Sequence, residues 1–140
     1  MLVKTYGCAV FGIEATIVTV EVNISNGVNF FLVGLPDSAV KESQQRIQAA
    51  LKNNGYKIPI KEITVNMAPA DIRKEGSAYD MTIALGILAA SEQINSEKVS
   101  DYLIMGELSL DGSLQKLKGV LPIAIEAKKL GLKGIILPKQ

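Results

Sequence analysis

The sequence contains no histidine and only one cysteine among its 140 residues. Without histidine there is no Ser-His pair, no imidazole acid–base step and no histidine-based metal site. A single cysteine excludes an intrachain disulfide and a cysteine-rich zinc site. Cys8 lies in an apolar segment, which favours a buried core thiol over a reactive nucleophile.

Long hydrophobic runs are also missing. The longest, Met81–Ala90, is much shorter than the roughly 20 residues that span a bilayer. The first residues lack the basic and apolar blocks of a signal peptide. With 48% hydrophobic and 21% charged residues, the composition is typical of one well-packed domain over residues 1–140. We expect a soluble, cytoplasmic domain with no membrane partner.

Positive charge is concentrated at the end of the chain. Residues 1–112 hold nine basic and thirteen acidic side chains, whereas residues 113–140 hold six and one. Such asymmetry suits an acidic partner such as DNA, but it is also typical of a solvated lysine fringe on a surface helix. The candidate DNA or partner contacts are Lys116, Lys118, Lys128, Lys129 and Lys133.

The first half of the chain reads as strands followed by a helix. Strands are predicted over Leu2–Val10 and Ala15–Ile24, the latter from strict alternation of apolar residues. Asn26-Gly27 predicts a two-residue hairpin turn, with Phe30–Val33 as the return strand of a three-stranded antiparallel unit. A helix is predicted from Pro36-Asp37 to the Asn54-Gly55 cap.

The second half predicts two further helices and four strands. Residues 63–67 alternate as a strand, and a helix buried on several sides runs from Ala78 to about Ser91. Residues 102–108 and 113–115 form a hairpin about Asp111-Gly112. A helix with Pro122 in its first turn then ends at Gly131, and residues 134–138 form a last strand.

Ser77 stands at the start of the central helix and has two interpretations. It can be a nucleophile, because backbone N–H groups at a helix N-terminus can hold an oxyanion. It can also be the first residue of a capping box completed by Asp80. An N-cap contributes about 1 kcal/mol, which is sufficient reason for a serine here, and the cap is the preferred interpretation.

Residues 69–80 and 105–139 together resemble the proteolytic domain of Lon-type Ser-Lys proteases. Alignment on the helix after Ser77 puts Gly76 at the nucleophile position, and a one-residue gap restores Ser77. In the protease pattern the catalytic lysine follows the glutamate of the Gly-Glu motif by fourteen residues, and that count from Glu107 reaches Leu121. Leucine cannot accept a proton, so the resemblance implies that Gly76, Ser77 and Leu121 are vestigial positions.

Five segments resemble a sister group more closely, the N-terminal ChlI-type domain of magnesium-chelatase-like AAA+ ATPases of the YifB/ComM family. They are Gly34–Ser43, Asn66–Asp71, Arg73–Ser77, Tyr79–Ala90 and Gly106–Gly112. The resemblance implies an α/β (α+β) Lon-protease-domain-like, ribosomal-protein-domain-2-like two-layer sandwich, with a mixed sheet and about three helices. It also implies a hexameric parent that uses ATP and Mg in a separate module and acts in DNA branch migration during natural transformation.

No cofactor or metal is expected within these residues themselves. The nearest approach to a phosphate loop, Gly7-x4-Gly12, continues with Ile13-Glu14 where Lys-Ser/Thr is required. Because nothing resembling a cap follows the last strand, we expect the N-terminal piece of a longer ATPase.

The sequence therefore favours a non-catalytic accessory domain that serves ring assembly with other copies and DNA contact. One alternative is an active Ser-Lys peptidase that uses Ser77 with Lys118. A free-standing ligand-binding domain is a third, and it requires a polar pocket.

Overall fold

The computed structural model describes residues 1–139, which form a mixed six-stranded sheet, a two-stranded ribbon, three helices of eleven residues each and one short helix of four. The strands are β1 (Leu2–Phe11), β2 (Glu14–Ser25), β3 (Phe30–Val33), β4 (Glu62–Ala68), β5 (Tyr102–Ile104), β6 (Glu107–Leu108), β7 (Leu114–Gln115) and β8 (Gly134–Ile136). The helices are α1 (Ser38–Lys41), α2 (Ser43–Asn53), α3 (Asp80–Ala90) and α4 (Val120–Leu130), with a single 3-10 turn at Val99–Asp101. The predicted α+β class is confirmed.

Strands β1 and β2 form the long hairpin at the centre of the sheet. They pair over the whole of β1, from Leu2 opposite Asn23 to Phe11 opposite Glu14. Gly12 makes the turn with a φ of 63°, a left-handed conformation that glycine adopts without steric cost. The alternation predicted for β2 is confirmed, since its even-numbered valines and Ile24 are buried.

The predicted partner of β3 is wrong. The sheet order is β3-β4-β2-β1-β5-β8, so β4 lies between β2 and β3, and Asn26-Gly27 does not close a hairpin. Strand β4 pairs with seven residues of β2 and buries Ile63, Val65 and Met67. Strand β3 pairs in parallel with the outer side of β4 and is an edge strand of the sheet. It is four residues long and none of them is fully buried.

The first predicted helix is present but divided in two at Glu42. Asp37 caps its start, because an oxygen of its carboxylate accepts a hydrogen bond of 2.8 Å from the Val40 N–H. Gly55 follows α2 with a φ of 81°, as the Asn54-Gly55 cap predicts.

Helix α3 is the central helix and packs on β1 and β2. Thr5 Oγ1 donates a hydrogen bond of 3.0 Å to the Thr82 carbonyl, which ties α3 to β1. Gly86 lies so close to β2 that a Cβ there would stand 2.6 Å from Val22 Cγ2. The helix begins at Asp80, two residues later than the predicted Ala78.

The predicted strand over residues 102–108 is broken at Gly106, whose φ is 159°. Its first part is β5, which lies in the main sheet, and its second part is β6, which pairs with β7 in the separate ribbon. The turn at Asp111-Gly112 and the helix with Pro122 in its first turn are confirmed. No helix within residues 1–139 is long and apolar enough to cross a membrane.

Candidate functional site

A cavity of about 420 Å³ opens beside the starts of α3 and α4. We call it the Ser77 cavity. The buried side chains of Cys8, Met105 and Ile123 supply its apolar part. Ser77 lines it together with two carboxylates and two lysines, so the cavity combines an apolar interior with convergent charged groups.

The Ser77 hydroxyl donates a hydrogen bond to the Glu107 carboxylate. Glu107 is the first residue of β6 and lies thirty residues away along the chain. The predicted capping box is therefore wrong, because the N-cap of α3 is Tyr79, whose side chain makes no capping hydrogen bond, and the Ser77 hydroxyl is bonded to Glu107. The Ser77 hydroxyl is therefore bonded to β6 and not to the first turn of α3.

Asp80 also has a different role from the predicted one. Its buried carboxylate accepts two hydrogen bonds from Arg46, at 2.6 and 2.9 Å, and one of 3.0 Å from the Leu108 N–H. Burial raises the pKa of the Asp80 carboxyl, and the Arg46 and Leu108 hydrogen bonds act in the opposite direction. This pair joins α2, α3 and β6, and so fixes the residue that follows Glu107.

Gly76 and Lys74 belong to the loop before α3. Gly76 has a φ of 85°, and its N–H donates a hydrogen bond of 3.2 Å to the Asp37 carboxylate. The Lys74 side chain is fully buried, with its ammonium bonded to the Gly34 carbonyl at 2.8 Å and to the Pro69 carbonyl. Burial lowers the pKa of Lys74. Its amine is thus used in holding two loops together.

Two of the sequence-predicted lysines lie at the cavity and the vestigial leucine does not. Lys116 and Lys118 line the Ser77 cavity just before α4, and both are exposed to solvent. Leu121 lies on the first turn of α4, is 71% exposed, and is not among the described residues that line the cavity. Ser77 and Lys118 therefore line the same cavity, and Leu121 lies outside it.

The remaining three lysines lie at the far end of α4 and in the turn to β8. All of them are exposed. Lys129 lies 3.4 Å from Glu126, and Lys133 lies 3.3 Å from Asp101. The five candidate contacts thus form two groups, one at the cavity and one at the end of α4.

Cys8 is a buried thiol, as predicted, with 1% of its surface exposed. Burial and the nearby charge of Glu126 raise its pKa to about 11. Because the thiolate is the reactive form, Cys8 is poorly suited to act as a nucleophile even though it lines the cavity.

Sequence reasoning missed two residues of this region. In the sequence, Glu107 serves only as the residue from which the lysine position is counted, and the one local signal for a site there is a Gly-Glu pair directly after a buried strand. Lys74 lies between Arg73 and Glu75, a charged run that predicts a solvated loop, and nothing local indicates its burial.

Fold and site together define a mixed α/β domain with a serine-containing polar cavity at the mouth of its central helix. A protein-family model described as subunit ChlI of Mg-chelatase matches residues 20–140. The chain belongs to this family.

Named relatives agree with that assignment. The chain is 46% identical over 129 residues to YifB of Escherichia coli, and this alignment covers 91% of the chain and 26% of YifB. It is 45% identical over 140 residues to the competence protein ComM of Haemophilus influenzae, which covers 99% of the chain and 27% of the relative. A weaker similarity, 30% over 101 residues, relates 72% of the chain to 18% of Lon protease 2 of Bacillus subtilis. The chain thus spans about a quarter of the length of YifB and ComM.

Proposed function

We propose that the chain is a non-catalytic accessory domain of a magnesium-chelatase-like AAA+ ATPase of the YifB/ComM type. Membership of the family and high coverage by both relatives support this context. In the proposal, ATP and Mg act in a separate module of the parent protein. This domain serves ring assembly and contacts DNA during the branch migration of natural transformation.

The observation that carries the non-catalytic role is the partner of Ser77. In a Ser-Lys dyad the hydroxyl gives its proton to a desolvated lysine amine. Here the hydroxyl donates to the Glu107 carboxylate, and the Lys118 side chain is exposed. Of the lysines near this loop, Lys74 is the buried one, and its amine is bonded to two carbonyls. Neither lysine has the arrangement that activates a serine.

The test is proteolysis of an unfolded substrate. The chain and its Ser77→Ala variant are incubated with fluorescein-labelled casein, and acid-soluble fluorescence is measured. We expect the same release from both proteins as from buffer. Release by the unaltered chain that disappears in Ser77→Ala would refute the non-catalytic role.

An active Ser-Lys peptidase is the second candidate, because Ser77 and Lys118 line the same cavity. A peptidase of this kind requires the Lys118 amine. Lys118→Met would then abolish casein release, whereas Lys128→Met, an exposed lysine at the other end of α4, would preserve it. If the chain releases no peptide, this candidate fails.

DNA contact is proposed through the exposed lysines. For B-DNA, each lysine that neutralises a phosphate makes the slope of log K against log salt concentration more negative by about 0.9. Binding of fluorescent duplex DNA, measured by anisotropy over a salt series, is expected to weaken steeply as the salt concentration rises. A triple alanine variant of Lys128, Lys129 and Lys133 should bind more weakly with a shallower slope. An unchanged slope would contradict contact through these three lysines.

A further inference from the structure

The Ser77 cavity holds charges of both signs. Glu75 and Glu107 supply carboxylates, and Lys116 and Lys118 supply ammonium groups. The Ser77 hydroxyl donates its hydrogen bond to one oxygen of Glu107. No ion pair between these two acidic and two basic side chains is found within residues 1–139. A ligand that carries one positive and one negative group can therefore pair with both the carboxylates and the ammonium groups.

The basic side of the cavity is reinforced by the start of α4. Gly119, which lines the cavity, is the N-cap of this eleven-residue helix and offers no side chain to its first turn. The N-terminal end of a helix carries a partial positive charge that attracts an anion. Lys116, Lys118 and this helix end are therefore grouped where a carboxylate would be favoured.

The two glutamates determine what the ligand cannot be. A polyphosphate that entered the cavity would be repelled by Glu75 and Glu107. An uncharged apolar ligand would leave Glu107, Lys116 and Lys118, which form no ion pair within residues 1–139, without an opposite charge, whereas Glu75 already lies 3.4 Å from Arg73. The volume of about 420 Å³ lies within the range of small-molecule sites and suits a ligand of one or two amino acid residues.

We propose that the Ser77 cavity binds a small zwitterion of the amino acid or dipeptide class. Its carboxylate lies towards Lys116, Lys118 and the start of α4, and its ammonium group lies towards Glu107 and Glu75. The apolar body packs on Cys8 and Ile123. This binding requires no bond cleavage and is independent of the proposed accessory function.

The experiment uses L-alanyl-L-alanine as the probe and the ¹⁵N-labelled chain as the receptor. Chemical shifts of backbone amides are followed up to about 10 mM probe, well above the ~1 mM dissociation constant expected of a ligand this small. We expect saturable shifts at Ser77, Glu107 and Gly119. Acetylation of the probe's amine or amidation of its carboxylate should each weaken binding about tenfold, since each removes a charged hydrogen-bonding group.

Two variants assign the orientation. Glu107→Gln keeps an acceptor for Ser77 but loses the charge, so it should weaken alanylalanine about tenfold and leave the acetylated probe unaffected. Lys118→Met should weaken alanylalanine and leave the amidated probe unaffected. Lys52→Met, an exposed lysine in the last turn of α2 that does not line the cavity, is the matched control and should bind like the unaltered chain. Amide spectra of each variant verify that it is folded.

Absence of saturable shifts at the cavity, or equal binding of all three probes, would overturn the proposal. An equal loss of affinity for all three probes in Glu107→Gln would also overturn the proposal, because it would mean that the ligand's charge is not what the Glu107 carboxylate recognises. Free alanine in the same samples would refute the non-catalytic function and leave zwitterion binding standing. The two proposals therefore fail separately.

Discussion

Replacing Arg46 by methionine is expected to lower the free energy of unfolding by about 3–5 kcal/mol, because it leaves a buried carboxylate without its cation. The Asp80 side chain is 1% exposed and the Arg46 side chain 20%, so solvent screens the pair weakly. Two of the three hydrogen bonds to Asp80 come from Arg46. The loss is a large part of the roughly 5–15 kcal/mol that stabilises a typical domain.

The assay is urea denaturation followed by far-ultraviolet circular dichroism, for Arg46→Met, Asp80→Leu and the double variant. The double variant should lose less than the two single losses combined, by at least about 1 kcal/mol, because removing both charges leaves no unpaired ion.

Arg73→Met is the matched control for this cycle. Its 3.4 Å pair with Glu75 joins side chains that are 69% and 64% exposed. Such a surface pair contributes about 0–1 kcal/mol, so the control should change little. A loss below about 1 kcal/mol for Arg46→Met, or strict additivity in the double variant, would refute the role assigned to the buried pair.

Three further predictions follow from buried groups. Burial lowers the pKa of Lys74, so just below pH 10.5 the unfolded chain binds more protons than the folded chain. The free energy of unfolding should therefore rise with pH in that range, by at most about 1.4 kcal/mol per pH unit. Urea midpoints measured over this range should show the rise in the unaltered chain and not in Lys74→Met. Gly86→Ala should lower the free energy of unfolding by about 1–3 kcal/mol because the new methyl group crowds Val22, and the higher helix propensity of alanine offsets at most about 1 kcal/mol of this loss. In thermal melts, the loss should be smaller when Val22 is also replaced by alanine. Cys8, whose pKa is about 11, should react with Ellman's reagent at about pH 8 at least ~100-fold more slowly in the folded chain than in urea, and equal rates would contradict its burial.

Local signals in the sequence predicted most elements of the fold. The alternation of β2 is informative because one face of that strand is buried, and a shift of one residue would expose every valine. The start of α1 and the end of α2 were predictable from Asp37 and Gly55, since caps act within a few residues.

Pairings between distant segments could not be predicted in the same way. Asn26-Gly27 is a strong local hairpin signal, but β4 competes for the same edge of β2 with more buried residues. Ser77 matches a capping box locally, yet its hydroxyl meets Glu107 only because Gly106 turns the chain out of the sheet. In both cases a tertiary contact outweighs a local preference.

The most direct test of the central claim is whether Ser77 acts as a nucleophile towards an activated ester. The chain is incubated with p-nitrophenyl acetate, digested and mapped by mass spectrometry, with Ser77→Ala and Lys118→Met treated in parallel. The account predicts no acetyl group on Ser77 beyond the level found on exposed serines. Rapid acetylation of Ser77 that depends on Lys118 would contradict it.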